Sequence, residues 1–348
     1  MIEISIFGAN YGETIIISFG PKGGRRKYGL IDCFPLERKV DFNPIVKYLS
    51  ERTEKLSFVI ATHPHDDHIR GLAQVLEAYQ DRVEFFGWWG GMDPDFQTRY
   101  FEKLQEINKN GLIRAKQISA LISTLKKRHI RLNVWHTSTD GKPDPFYSDE
   151  KFSMVAISPW FPEKASYNRG LLTRIDRFTK FKKDSCKPNQ TSLGFLIKYD
   201  KARILLPGDM ERANWKSVIE ENPSIFDGGV HFVKIPHHGS DTGRHQDLWS
   251  GKRKLPLGTS RRTVAVTTRC ENGATRLPTM KVLNEIKESG CETWIIGGKE
   301  SSSLINERHM ASGEIRPRVL SRFTVQIDSS GRVQIIKDMH HLENNLLL

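Results

Sequence analysis

The sequence is poor in cysteine and in long apolar runs, and both shortages limit what the protein can be. Four single cysteines lack the Cys-x-x-Cys spacing of zinc and redox motifs: Cys33, Cys186, Cys270 and Cys291. We therefore expect reduced, mostly buried thiols, and neither a disulfide framework nor a cysteine-rich zinc site. No stretch approaches about 18 apolar residues, and the first residues, MIEISIFGANYG, lack the features of a signal peptide. A cytoplasmic location without a membrane partner is expected.

The chain also lacks an internal linker. No tract rich in proline, glycine and serine separates two halves, and 38% of the 348 residues are hydrophobic, enough to bury a sizeable core. The polar motifs considered next run from residue 63 to residue 238 and share one order along the chain. We therefore predict a single domain over residues 1–348.

The most specific motif is VIATHPHDDH at residues 59–68. Its apolar start reads as a buried strand, which delivers His63, His65, Asp67 and His68 to one edge of a sheet. Imidazoles and a carboxylate suit zinc and, less selectively, manganese or iron. Two histidines two positions apart can converge on one ion, and the adjacent Asp67 and His68 can point to a second. Taken alone, the motif is equally compatible with a structural zinc site or a chance surface cluster.

Two further motifs place polar residues after apolar strands. ILLPGDM contains Asp209, and FVKIPHHGS contains His237 and His238. Together with the first motif, in this order, they resemble the HxHxDH signature and later ligand motifs of the metallo-β-lactamase superfamily of metallo-hydrolases. The resemblance implies an α+β fold, an αββα sandwich with metal ligands at the strand ends of both halves.

The same resemblance implies two divalent metal ions, zinc by preference and manganese as the alternative. It places the ligands in two groups bridged by Asp209: His63 and His65 for the first ion, and Asp67, His68 and His237 for the second. His238 is either the second ligand histidine in place of His237 or a proton donor to the leaving group. The residues with an expected catalytic role are Asp67, Asp209 and His238.

A third histidine usually completes the first site about twenty residues before the bridging aspartate. Asn189, in KPNQTS, stands there in this sequence. An amide oxygen is a weaker ligand than imidazole, so either the first ion binds loosely or Asn189 contacts substrate instead.

Five segments narrow the resemblance to one branch. They are GANYGETIII, GLIDCF, HPHDDHIRGL, NQTSLGFLIKYDKARILLPGD and KIPHHGS. In that order they look like the hydrolase domain of ComEC-type bacterial DNA-uptake proteins and its free-standing relatives. After the AVTT strand those relatives often carry Gly-His-Pro, where this chain has ENGATRLPT. If that histidine assists catalysis, either Arg276 replaces it as a phosphate-binding cation or the catalytic step that it assists is lost. Without a membrane channel, DNA transport itself is not expected.

The apolar patterns also predict the secondary structure. Asp67 is expected to cap a helix, a helical insert to fill residues of about 93–150, with a polar loop at 137–151, and a hairpin to end the fold at about 318–337. A further helix is expected at 279–289. Strands are expected at 2–7, 14–19, 28–34, 152–158, 192–199, 203–206, 230–235, 263–268 and 293–296.

Charge bears on the substrate. Lysine and arginine number 53 against 41 acidic residues, a net charge of +12, and basic residues crowd two segments beside the ligand motifs. The first precedes Asn189 and includes Lys180, Lys182 and Lys183; the second covers residues 244–262. Such clusters can hold phosphates and concentrate a polyanion, so nucleic acid is the expected partner. The alternative is a solvated basic surface, with Phe178 and Phe181 as core residues rather than base-stacking ones.

Two functions remain open. The first is a metal-dependent phosphodiesterase, in the first instance a nuclease, that uses metal-activated water on DNA or RNA. The second is a non-catalytic or partner-gated nucleic-acid-binding subunit of a bacterial defence complex, since free-standing relatives accompany other proteins in defence operons. A third interpretation is hydrolysis of a lactam or thioester, in which the basic segments have no role.

Overall fold

The computed structural model describes eleven stretches of the chain: residues 1–8, 11–34, 43–88, 109–128, 130, 132–134, 145–159, 188–249, 263–272, 275–297 and 321–336. Two large mixed β-sheets and a two-stranded ribbon form the framework of this part. None of its helices is both long and apolar enough to span a membrane. The cysteines within it, Cys33, Cys270 and Cys291, are free and buried, as expected.

The first sheet has eight strands in the order β17-β16-β1-β2-β3-β4-β5-β6. Strands β1 to β3 form an antiparallel meander, and β3 to β6 run parallel. The strands are β1 (Ile2–Gly8), β2 (Glu13–Phe19), β3 (Lys27–Ile31), β4 (Phe58–Ala61), β5 (Phe86–Trp88), β6 (Leu132–Val134), β16 (Ser321–Ile327) and β17 (Val333–Ile336).

The second sheet has seven strands in the order β15-β12-β11-β10-β9-β8-β7. Its antiparallel half is β7 to β10, and β10, β11, β12 and β15 run parallel. The strands are β7 (Pro145–Asp149), β8 (Phe152–Ser158), β9 (Gly194–Tyr199), β10 (Ala202–Leu206), β11 (Phe232–Lys234), β12 (Val264–Thr268) and β15 (Glu292–Ile296). The ribbon consists of β13 (Cys270–Asn272) and β14 (Thr275–Leu277).

The main hydrophobic core lies between the two sheets. Phe19 of the first sheet stacks on Phe152 of the second, with ring centroids 4.0 Å apart. Successive residues of a strand point to opposite faces. Accordingly Ile204 and Leu206 join this central core, whereas Leu205 joins a second core on the outer face of the sheet.

Helices cover the outer face of each sheet. The helices are α1 (Pro44–Ser50), α2 (Asp66–Ile69), α3 (Leu72–Tyr79), α4 (Lys109–Lys127), α5 (Arg212–Glu221), α6 (Gln246–Trp249) and α7 (Met280–Glu288). Buried residues of α1, α3 and α4 pack on the first sheet and form one continuous cluster with the central core. Buried residues of α5, α6 and α7 pack on the second sheet and form the outer core with Leu205. The predicted α+β fold with an αββα order of layers is confirmed.

Two local predictions need correction. The polar loop expected at 137–151 contains β7, which pairs with β8 and buries Phe146 against Phe195. Asp67 lies inside the first turn of α2 rather than capping it, and α2 ends at Ile69, before α3 begins at Leu72. The C-terminal hairpin is present as β16 and β17, and it extends the first sheet because β16 pairs with β1 along its full length.

Candidate metal centre

The predicted ligands follow strands of both sheets. His63 comes two residues after β4, Asp67 and His68 lie on α2, Asp209 follows β10, and the two adjacent histidines follow β11. Gly208, with φ of 56°, turns the chain after β10, and the Asp209 amide donates to Ser192 Oγ over 2.9 Å. Leu193, directly before β9 of the second sheet, donates its amide to the Thr62 carbonyl over 3.0 Å. The two sheets therefore present their polar residues at one shared edge.

A first donor group consists of His63, His65 and Asp209. His63 Nε2 lies 2.9 Å from His65 Nδ1 and 3.6 Å from Asp209 Oδ2. Donor atoms at about 2.0–2.1 Å from a tetrahedral zinc are about 3.3 Å from one another. The spacing of this group therefore fits a divalent ion at its centre.

A second donor group consists of Asp67, His68 and His238. The Nε2 atoms of His68 and His238 lie 3.8 Å and 3.6 Å from Asp67 Oδ2. His68 Nε2 also lies 3.6 Å from Asp209 Oδ1. Asp209 thus turns one oxygen to each group, which is the arrangement expected of a bridging carboxylate.

The side chains of the two adjacent histidines of the HHGS motif have different positions in the site. Both have left-handed backbones, with φ of 48° at His237 and 52° at His238, a conformation that costs non-glycine residues about 1–3 kcal/mol each. His238 is buried in the second donor group, whereas His237 is 21% exposed and lies 3.7 Å from Asp209 Oδ2. The geometry therefore puts His238, the alternative in the sequence analysis, where His237 was expected.

Asp32 fixes the ring nitrogens of two histidines. Its carboxylate accepts from the Thr62 amide at 2.8 Å and the Thr62 hydroxyl at 2.6 Å, and His68 Nδ1 lies 2.6 Å from Oδ2. Since the Thr62 proton goes to Asp32, His63 Nδ1, 3.0 Å from that hydroxyl, must donate to it. In the neutral form of each ring, both histidines then turn an unprotonated Nε2 toward the donor groups.

Sequence reasoning missed an equivalent arrangement behind His238. Thr268 Oγ1 donates to Glu13 Oε2 over 2.6 Å and lies 2.7 Å from His238 Nδ1, so that Nδ1 must donate. Lys234 Nζ lies 2.7 Å from the same Glu13 oxygen, and both side chains are buried. The available signal was a charged residue within each of two apolar strands, TIII preceded by Glu13 and FVKI around Lys234.

The electrostatics of the site favour a cation. Burial lowers the pKa of His68, but the carboxylates of Asp209, Asp32 and Asp67 outweigh it and raise that pKa well above its usual value. Burial likewise opposes ionisation of Asp209, yet His237, His68 and His63 hold its pKa well below the usual range. Burial, followed by the neighbouring His68 and His65, keeps the pKa of His63 well below its usual value, so its imidazole is neutral.

Unpartnered buried atoms test whether a metal fits. Within the part of the chain that is described, several buried atoms of the site have no hydrogen-bond partner: His68 Nε2, His238 Nε2, Asp209 Oδ1, Glu13 Oε1 and Asn189 Oδ1. Buried polar atoms are nearly always satisfied. All of them except the Asn189 oxygen belong to residues whose donor atoms lie close together at the shared edge, so the residues present fit a divalent metal ion.

Of the other predicted site residues, Asn189 contacts a histidine of the site, and Arg276 lies on the two-stranded ribbon. Asn189 is buried in the short 3₁₀ turn Pro188–Thr191, with its Nδ2 3.3 Å from His237 Nε2. Arg276 is exposed on β14, in the ribbon that begins at Cys270. The first basic segment, with Lys180, Lys182 and Lys183, and residues 250–262 of the second lie outside the described residues.

The solved structures to which this chain is similar include the metallo-β-lactamase fold protein YhfI. The protein YhfI from Bacillus subtilis is 13% identical with a TM-score of 0.43, over 86% of this chain and 97% of that one. Zn²⁺-bound PqqB from Methylobacterium extorquens is 10% identical with a TM-score of 0.39, over 87% and 100% of the two chains. Human tRNase Z, short form, is 12% identical with a TM-score of 0.36, over 68% and 77%.

No model of a protein family matches the sequence, and no curated protein matches it. At identities this low, the likeness concerns the fold, and the roles of individual residues depend on the geometry of this chain.

Proposed function

We propose that the protein is a metal-dependent phosphodiesterase that acts on nucleic acid as a nuclease. The observation that carries the proposal is the pair of donor groups that share Asp209, with Oδ2 3.6 Å from His63 and Oδ1 3.6 Å from His68. Paired ions about 3.5–4 Å apart are characteristic of phosphatases, nucleases and polymerases. When bound, such ions lower the pKa of a water toward about 7 and stabilise charge on the phosphate oxygens.

The protein residues divide the remaining tasks. The aspartates at 67 and 209 would hold the ions, and His63, His65, His68 and His238 would supply imidazole nitrogens. His237 takes over the role of proton donor to the leaving group, because it is partly exposed at the rim of the site and its Nδ1 lies 2.8 Å from Thr242 Oγ1. Asn189, in contact with that ring, is the candidate contact to substrate.

The substrate class follows from charge and from the sequence resemblance. A net charge of +12, concentrated in segments that flank the ligand motifs, suits a polyanion better than a lactam or a thioester. The segments that resemble ComEC-type hydrolase domains support the same choice. Lys180, Lys182, Lys183 and Arg276 are the proposed contacts to phosphate.

One observation favours a second function. The first donor group has two imidazoles, and Asn189 stands where a third histidine is usual, turned toward His237. A loosely held first ion would leave a protein that binds nucleic acid and depends on a partner for catalysis, as in a bacterial defence complex. The two functions differ in whether the purified protein cleaves nucleic acid by itself.

The test is cleavage of labelled single- and double-stranded DNA and RNA by protein loaded with Zn²⁺ or Mn²⁺. We expect wild-type cleavage, and its loss in Asp67→Ala and in Asp209→Ala, because each variant removes an ion-holding carboxylate. Cys291→Ser is the control; this buried thiol precedes β15 and contacts Ser289, away from the donor groups. Cleavage unchanged in both aspartate variants would refute metal-assisted hydrolysis here, and binding without cleavage would favour the second function.

A further inference from the structure

Glu13 is a buried carboxylate beside the second donor group. It begins β2, opposite Gly8 of β1, and is 1% exposed. Gly12, with φ of 80°, precedes it, and a Cβ there would lie 2.7 Å from the Asp67 carbonyl oxygen. Glycine therefore lets β2 start directly against the loop that carries the metal ligands.

The two oxygens of Glu13 have different surroundings. Oε2 accepts from Thr268 at 2.6 Å and from Lys234 at 2.7 Å. Oε1 is buried and has no hydrogen-bond partner among the described residues. Because Oε2 is held by two donors, the carboxylate cannot turn to satisfy Oε1 without breaking those bonds.

Glu13 is also close to two of the predicted ligands. Glu13, His68 and Asp209 each offer a donor atom, and these atoms lie within 4.8 Å of one another. His68 Nε2 and Asp209 Oδ1 lack hydrogen-bond partners just as Glu13 Oε1 does. Three residues with donor atoms this close, each of which also has a buried nitrogen or oxygen without a hydrogen-bond partner, point to a shared cation.

The simpler explanation is that Glu13 is the counter-ion of Lys234. That explanation accounts for Oε2, and against the opposing effect of burial Lys234 contributes, with His238 and His68, to a Glu13 pKa held below its usual value. It leaves Oε1 buried and unsatisfied, which is unfavourable for a carboxylate oxygen. A role for Oε1 is therefore required in addition to the ion pair.

We propose that Glu13 is a further ligand of the second metal ion, alongside Asp67, His68, His238 and the bridging Asp209. The inference rests on the proposed metal-dependent function and specifies its second site. Three carboxylates and two imidazoles make that site rich in oxygen and high in coordination number. Such a site favours Mn²⁺, whereas zinc prefers four nitrogen and sulfur ligands. Lys234 offsets the charge of the additional carboxylate.

The experiment measures metal binding, independently of cleavage. Chelator-treated protein is titrated with MnCl₂ and, separately, with ZnCl₂ by calorimetry, and bound Mn²⁺ is followed by electron paramagnetic resonance. We expect Glu13→Gln to weaken Mn²⁺ binding at the second site at least about 10-fold, because a neutral amide replaces the carboxylate ligand. The Zn²⁺ affinity should fall less, so the ratio of the two affinities changes.

A double variant separates the ligand from the counter-ion. Glu13→Gln/Lys234→Met removes both charges, so no unpaired lysine remains buried, and circular dichroism verifies its fold. If Glu13 is a ligand, the double variant keeps the loss of Mn²⁺ affinity. Glu3→Gln is the matched control, since Glu3 lies on β1 opposite Ser18, about 17 Å along the strand from Glu13, and pairs with Arg26.

Three other outcomes would each overturn the inference, and their metal-binding results distinguish them. Wild-type Mn²⁺ affinity in the double variant would make Glu13 a counter-ion alone. Two bound zinc ions with no Mn²⁺ site in the wild type would overturn the assignment and leave the proposed metallo-hydrolase intact. Wild-type protein that binds neither metal would overturn both.

Discussion

At the scale of single residues, the site depends as much on the groups behind the ligands as on the ligands. Asp32 has φ of 55° and accepts from Thr62 and from His68, so one buried carboxylate orients the histidines of both donor groups. Glu13 does the same for His238 through Thr268. A ring nitrogen is a ligand only when it carries no proton, and hydrogen bonds that hold the proton on Nδ1 select that tautomer of the neutral ring.

The adjacent histidines allow a direct prediction. His238→Ala should remove one of two bound metal ions, because its Nε2 faces the Asp67 carboxylate at 3.6 Å. His237→Ala should retain both ions and lower the rate of cleavage by about 10²–10⁴, the range for loss of a general acid. Metal content is measured by mass spectrometry of gel-filtered protein, beside single-turnover cleavage. Loss of an ion from His237→Ala, with full content in His238→Ala, would reverse the two roles.

At the scale of elements, apolar runs identified most strands, and the ligand motifs lie at strand ends as predicted. Residue types alone did not reveal β7, because PFYSD begins with proline, ends in polar residues and forms a strand by pairing with β8. Nor did they reveal which histidine of HHGS lies in the second donor group, since the left-handed backbone conformations of His237 and His238 decide that. The Glu13–Lys234 pair joins strands of different sheets, and sequence separation concealed that contact.

The C-terminal hairpin supports the first sheet and can be tested at one position. Val325 of β16 is fully buried opposite Ile4 of β1, so Val325→Ala should lower the free energy of unfolding by roughly 1–3 kcal/mol. Gln334→Ala, at an exposed position of β17, should stay within about 0.5 kcal/mol of wild type. Denaturant titration measures both. Equal stability of Val325→Ala and wild type would show that the hairpin is not part of the cooperative core.

At the scale of the whole molecule, the donor groups join the two sheets. His63, His65, Asp67 and His68 belong to the first sheet and its connections, while Asp209 and His238 follow strands of the second. Glu13 of the first sheet and Lys234 of the second continue this connection behind the ligands. An ion held by both sets fixes the relative position of the sheets, and the shared edge of the sandwich is therefore where binding and stability are coupled.

Whether nucleic acid binds at that edge can be tested on the basic segments of the chain. Reversing Lys180, Lys182 and Lys183 together to Glu should weaken nucleic-acid binding and flatten its dependence on salt. The reason is that each lost phosphate contact removes about 0.9 from the log–log slope on duplex DNA. Binding is measured by fluorescence anisotropy at several salt concentrations, with metal content as a check that the site is intact.

Reversal of residues 252–254 and 261–262 to Glu tests the second basic segment in the same way. If only one segment contacts the phosphates, only its variant should show weaker nucleic-acid binding and a smaller log–log salt slope. Since both segments flank ligand motifs in the sequence, each is a candidate for the strand's path to the donor groups. Affinity and slope at wild-type values in both variants would remove the argument for a polymeric substrate. The same donor groups would then be expected to act on a small phosphodiester, whose binding depends on the ions and on Asn189 rather than on a basic surface.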